Sequence, residues 1–249
     1  MQFDPSDLPR LNDLNQPPET LYYKGSFESL RRPCVAIVGA RACSTYGRTV
    51  ARHLGRAFAE ANVTVVSGLA RGIDAEAHRG ALDVGGRTVA VFGCGIDRIY
   101  PAAHGELAKH ILFHNGMHVS EYEAGVEAAP WRFPARNRII AALSHIVIVV
   151  EARERSGALI CADFALEAGR RLFAVPGEIT AETSVGPNRL IADGHAAMIS
   201  SISSLDVGEI VDHAMNYPVR KRPTFGHQLD PDTVARHLGR DTPWRATNN

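Results

Sequence analysis

The stretch FPARNRIIAALS (133–144) sets two guanidinium groups, Arg136 and Arg138, on either side of Asn137, just ahead of the apolar run HIVIVVEA (145–152). Arginine is a planar, permanently charged fork that grips phosphate oxygens in pairs and stacks on flat rings. Phe133 offers such a ring, and Trp131 in APWRF offers another. Three other segments combine small residues, hydroxyls and arginine ahead of a helix. GARACSTYG (39–47) carries Gly39, Arg41, Ser44 and Tyr46, and SGLARGID (67–74) carries Ser67, Gly68, Arg71 and Gly72. RERSGALICADF (153–164) carries Ser156 and Gly157. Free N–H groups at a helix start, beside hydroxyls and arginine, form a cradle for anions. GCGIDRIYP (93–101) adds Gly93, Gly95 and Arg98. So many converging donors imply a polyanion larger than one phosphate.

The elements that must position these residues follow a strand-then-helix rhythm. CVAIV (34–38), VTVVS (63–67), RTVAVF (87–92), MHVSEY (117–122), HIVIVVEA and RLFAVPG (171–177) read as strands separated by helical stretches. Strands apolar throughout are buried on both faces, the mark of a parallel sheet covered by helices. The expectation is an α/β chain with an extended Rossmann-like, doubly wound, mostly parallel sheet over residues 29–213. Residues 1–28 read as a lead-in whose Tyr22 and Tyr23 dock on the domain. Residues 214–249 read as a linker and tail with a short helix in DTVARHLGR, too short for a full winged helix. Ligands of this architecture sit beyond the carboxyl ends of the strands, where the arginine-bearing loops fall.

Composition narrows the function. The 249 residues are 45% hydrophobic and 22% charged with a formal net charge of zero, so a nucleic-acid partner is not announced by global charge. Of 27 Lys and Arg, all but Lys24, Lys109 and Lys221 are arginine. The four cysteines are scattered, with no metal-ligand spacing; Cys34 and Cys161 read as core. No metal and no cofactor is expected. The polar, proline-broken start is no signal peptide and no run reaches a membrane span, which places the chain in the cytoplasm. G-x-G-x-x-G, the phosphate loop G-x-x-x-x-G-K-[ST] and the elbow G-x-S-x-G are all missing, so no catalytic residue is assigned. Glu121 and Glu151 stand at strand ends as the available carboxylates, and Glu151 reads as a partner for Asn137 or an arginine. Asp74 and His78 read as a local capping and packing pair. Arg136 is expected on a loop lip, where reversing its charge would abolish binding and spare the fold.

Taken together, GARACSTYG, SGLARGIDAEAH, VAVFGCGIDRIYP, FPARNRIIAALS, VVEARERSGALICADFALEAGR and FAVPGEITAETSVGPNRLIADG resemble the DNA-processing protein A (DprA, or Smf) family, in the family's order, over residues 21–206. The resemblance implies single-stranded DNA binding without catalysis, a homodimer, and help in loading RecA recombinase during natural transformation. It implies strand contacts for Arg41, Phe133 and Arg136, with Arg71, Asn137 and Arg138 shaping the pocket. Family members often carry an N-terminal helical domain of the SAM type and a C-terminal winged helix, so this chain reads as a minimal or trimmed member. The alternative is a nucleotide-binding or nucleoside-monophosphate-cleaving enzyme of the same superfamily, using Ser156, Gly157 and Glu167. Its motif P-G-G-x-G-T-x-x-E is missing.

Overall fold

The computed structural model describes residues 1–203 and 205–216. Its nine strands, β1 (Gln2–Phe3), β2 (Leu21–Gly25), β3 (Cys34–Val38), β4 (Thr64–Ser67), β5 (Thr88–Phe92), β6 (Met117–Ser120), β7 (Ile146–Val149), β8 (Arg171–Ala174) and β9 (Ala197–Met198), form one sheet in the order β1-β2-β6-β5-β4-β3-β7-β8-β9. From β6 across to β9 all pairing is parallel. The chain winds outward from β3 to β6, returns to lay β7 beside β3, and continues the other way. The order therefore reverses between β3 and β7, which opens a crevice at their carboxyl ends. This is the doubly wound α/β fold the apolar runs predict.

The helices are α1 (Glu28–Arg31), α2 (Thr45–Glu60), α3 (Ile73–Leu82), α4 (Gly105–Phe113), α5 (Arg132–Ala142), α6 (Gly157–Glu167), α7 (Val185–Ala192) and α8 (Val207–Asn216). The pleat of β3 sends Ala36 and Val38 to one face, against Ile139 and Ile140 of α5 and Cys161 and Ala165 of α6. Val35 and Ile37 point to the other, against Val50, Leu54 and Phe58 of α2, with Val207 and Val211 of α8 in the same core. α8 runs to Asn216; the rest of the expected tail, including DTVARHLGR, lies outside the described residues.

The segment expected as a lead-in supplies two strands, with β2 pairing antiparallel to β6 and β1 to β2. Tyr23 packs edge-on with Phe3 and Phe27, while Tyr22 turns to the opposite face. Arg10 donates to the Leu30 carbonyl at 2.7 Å, and Arg170 donates to the Arg10 carbonyl and pairs with Asp13. These bonds fasten the segment under α5 and α6.

Glycines let α2 and α3 approach to backbone contact. A Cβ on Gly55 would press into the Ala77 carbonyl, and one on Gly80 into the Arg52 carbonyl. That approach sets the loops ahead of both helices side by side. Helix propensity favours alanine over glycine by about 1 kcal/mol, but a fixed carbonyl cannot yield, and overpacking costs about 1–3 kcal/mol. Gly80→Ala is therefore expected to lower the urea unfolding midpoint; an unchanged or raised midpoint would show that the helices separate freely.

His78 and His118 are buried, and His145 is partly so. Burial holds His78, His118 and His145 well below the ordinary imidazole value, at about 3, about 4 and about 4. His145 Nδ1 accepts the Cys34 N–H at 3.0 Å, which requires that nitrogen to be unprotonated. Groups with depressed folded values take up protons first in the unfolded chain, whose histidines titrate near 6.5. Stability is expected to be level between about pH 7 and about 8 and to decline as pH falls from about 6.5 towards about 4, by at most ~1.4 kcal/mol per pH unit for each histidine. Asp74, whose carboxyl burial pushes up, opposes this with the reverse sign. Urea midpoints across that window check the expectation, which a level profile would contradict.

Candidate functional site

The loops after β3, β4, β5 and β6 meet at one edge, and the start of α5 crosses them. Gly72 joins the first two. With φ at +75° and a would-be Cβ 2.6 Å from the Arg41 carbonyl oxygen, it allows one backbone to lie on the other, and the Ile73 N–H reaches the Ala40 carbonyl at 3.3 Å. Exposed Arg41 and Arg71 thereby share a rim. Arg41 holds its guanidinium carbon 5.3 Å from the ring centroid of half-buried Phe133. Phe133 packs on Tyr100 with ring centroids 4.9 Å apart, over Gly93, where a Cβ would come within 2.9 Å of its ring. Beside them Arg132 stands 4.8 Å from both the Tyr122 and the Trp131 ring centroids. Trp131 is half-buried at this edge and Tyr100 is 49% exposed. Tyr100 and Tyr122 were not among the expected site residues. Their signal was weak, being only aromatics within loops already rich in arginine.

The other arginines behave differently. Arg136 is only 4% exposed and lies within α5, not on a loop lip, which corrects that expectation. Its Nη1 donates to the Gly68 carbonyl at 2.7 Å and to the Val91 carbonyl, and the guanidinium lies flat on Gly68, where any side chain would collide with it. Asp74 accepts the Gly68 N–H at 3.1 Å and the Ala70 N–H at 3.4 Å. Burial pushes the Asp74 carboxyl up and the Arg136 guanidinium down in pKa, and the charge of each counters the shift of the other. Arg138 is buried too, ion-paired with Glu121. A signal for this was present: Arg136, Ile139 and Ile140 fall on one helical stripe, and the stripe faces the sheet.

The remaining expected residues divide by role. Asn137 donates to the Gly157 carbonyl at 2.8 Å, joining α5 to the start of α6, where Ser156 stands at the N-cap and Gly157 is exposed. Ser67 is buried and donates to the Ile37 carbonyl at 2.7 Å, inside the sheet and away from the rim. Tyr46 is exposed, its hydroxyl 3.1 Å from the Pro176 carbonyl. Ser44 caps α2 by accepting the Gly47 N–H at 3.0 Å. Glu151 pairs with Ser44 rather than with Asn137 or an arginine. Asp74 caps its own loop as expected, but His78 turns away to Thr88, at 2.6 Å. Among the described residues there is no group of three or more metal-ligating side chains.

A doubly wound sheet that holds arginines over aromatic rings at its carboxyl edge is an α/β protein that presents fixed positive charge beside flat rings. Residues 3–207 match the family model described as DNA recombination-mediator protein A, and the chain belongs to that family. It is 44% identical to DNA processing protein DprA of Streptococcus pneumoniae over 191 residues, 77% of this chain and 67% of that one. It is also 44% identical to Protein Smf of Escherichia coli over 186 residues, 75% of this chain but 50% of that one. A solved structure described as giving the single-stranded DNA binding mode of DNA processing protein A from Helicobacter pylori superposes with a TM-score of 0.75 at 32% identity, covering 82% of this chain and 92% of that one. The chain thus spans between half and two thirds of the two curated relatives' lengths.

Truncating Arg136 would strand two buried carbonyls and leave Asp74 without its counter-charge. Arg136→Ala is expected to destabilise the fold by about 2–4 kcal/mol, whereas Arg41→Ala, on the surface, should stay within about 0.5 kcal/mol of the parent. Urea unfolding of the two variants side by side checks this. Equal midpoints would mean that Arg136 does not anchor the loops.

Proposed function

We propose that this chain binds single-stranded DNA along the carboxyl edge of its sheet and serves as a recombination mediator. The observation that carries the reading is the stack of Arg41 on Phe133 beside Arg71. It offers charge for phosphates and a ring for a base on one rim, in a chain 32% identical to a protein described as binding single-stranded DNA. Arg41 and Arg71 take phosphates, Phe133 with Tyr100 stacks a base, and Tyr122, Trp131 and Arg132 continue the path. Gly39, Ser44, Gly68 and Gly72 shape the rim, and Tyr46, Ser156 and Gly157 extend it across the start of α6. Arg136, Asn137 and Arg138 act as positioning residues behind the surface, and Ser67 braces β4 from within.

The same proposal includes action by binding alone, without catalysis. It includes RecA recombinase as the partner loaded onto the strand, a homodimer as the acting species, and the cytoplasm as the place. Among the described residues no helix is long and apolar enough to cross a membrane.

Fluorescence anisotropy with labelled oligothymidine tests the reading. Affinity is expected to fall with salt by roughly 0.7 log units per contacted phosphate for each log unit of salt. Phe133→Ala should weaken binding by about 1–3 kcal/mol, and Arg41→Glu should weaken it further at an unchanged unfolding midpoint. Displacement of the strand by AMP, or a salt-independent affinity, would overturn the reading in favour of a small-nucleotide site.

A further inference from the structure

The crevice between β3 and β7 is where a doubly wound sheet ordinarily receives a nucleotide, with the phosphate seated on the first turn of the following helix. Here that helix is α2, and its first turn is already met by an anion from within the chain. Glu151, two residues past β7 and 3% exposed, directs its carboxylate at Ser44. One carboxylate oxygen accepts the Ser44 N–H at 2.9 Å and the other accepts the Ser44 hydroxyl at 2.5 Å. The backbone of Glu151 contributes as well, its carbonyl accepting the Ala40 N–H at 2.7 Å. The loop between Gly39 and Ser44 is thus folded around this one residue.

Gly47 makes the fit possible. A Cβ there would lie 2.5 Å from the Glu151 carboxyl carbon, so only glycine lets the carboxylate rest on the helix's first turn. In dinucleotide sites a glycine performs the same service for a pyrophosphate. Gly39 is closed off similarly, its would-be Cβ meeting Ile73 and, at 2.9 Å, the Glu151 carbonyl oxygen.

We infer that Glu151 is a specificity-determining residue whose carboxylate occupies the phosphate seat at the β3–β7 crevice, so that the chain refuses free phosphate and mononucleotides there. A second anion would meet a filled space, a Ser44 N–H and hydroxyl already engaged, and a like charge. Phosphates of a polymer must then cross outside, over Arg41 and Arg71. Removing the carboxylate recreates a small-oxyanion site on Ser44 and the start of α2.

Thermal unfolding of the full chain, in inorganic phosphate or AMP against chloride of equal ionic strength, tests this without DNA, so failure would leave the strand-binding proposal standing. Glu151→Ala is expected to unfold earlier than the parent and to recover by ~3 °C or more at saturating phosphate. The parent and Glu151→Gln, whose amide still fills the seat, should show no shift. If Glu151→Ala does not fold in chloride, refolding from urea in phosphate should restore it. Equal phosphate shifts in all three proteins, a parent stabilised by AMP, a folded Glu151→Ala indifferent to phosphate, or failure to refold in either buffer would each overturn the inference.

Discussion

One guanidinium sits where the rest of the edge depends on it. Arg136 reaches from α5 into the carboxyl ends of β4 and β5 and bonds a carbonyl from each. Carbonyl oxygens leaving a parallel sheet at its end lack the next strand's N–H groups, and leaving them buried and unpaired costs about 1–3 kcal/mol each. A charged donor satisfies both and fixes the height at which α5 crosses the edge. Because the helix is rigid, that anchor also determines where Phe133 emerges, one turn earlier, above Gly93 and under Arg41. The exposed pair is thus set by a buried bond.

Arginine accordingly does two jobs at one edge. Arg136 and Arg138 are interior braces, held by carbonyls and by Glu121, while Arg41 and Arg71 stand in solvent on loops that touch through Gly72. The touching loops depend in turn on α2 and α3, which approach closely only because Gly55 and Gly80 bring no side chain between them. Loss of any of these small residues would part the rim before affecting a charge on it.

The crevice and the rim are complementary. Glu151 closes the place where a doubly wound sheet offers a helix start to a small phosphate, and the nearby arginines lie outside it. An edge arranged in this way presents charge along a line rather than into a hole, which suits a chain of phosphates better than a single one.

Much of this was legible in the residues alone. Six of the seven parallel strands, β3 to β8, were readable because each is a short, mostly apolar and buried run, and their loops were readable as one edge because the architecture puts every carboxyl end on the same side. β1, β2 and β9 were not legible, since two-residue and half-exposed strands carry no period and depend on an edge being there to pair with. Residue type pointed to arginine-rich loops at one edge, but could not sort the arginines. Arg41 and Arg136 have identical chemistry, and only the packing of α5 on the sheet put one in water and the other against Gly68. The partner of Glu151 was equally hidden, because Ser44 lies 107 positions away in the chain. Local sequence determined which elements form; long-range packing alone decided which charges face the solvent, because burial is a property of surfaces that meet only after the chain has folded.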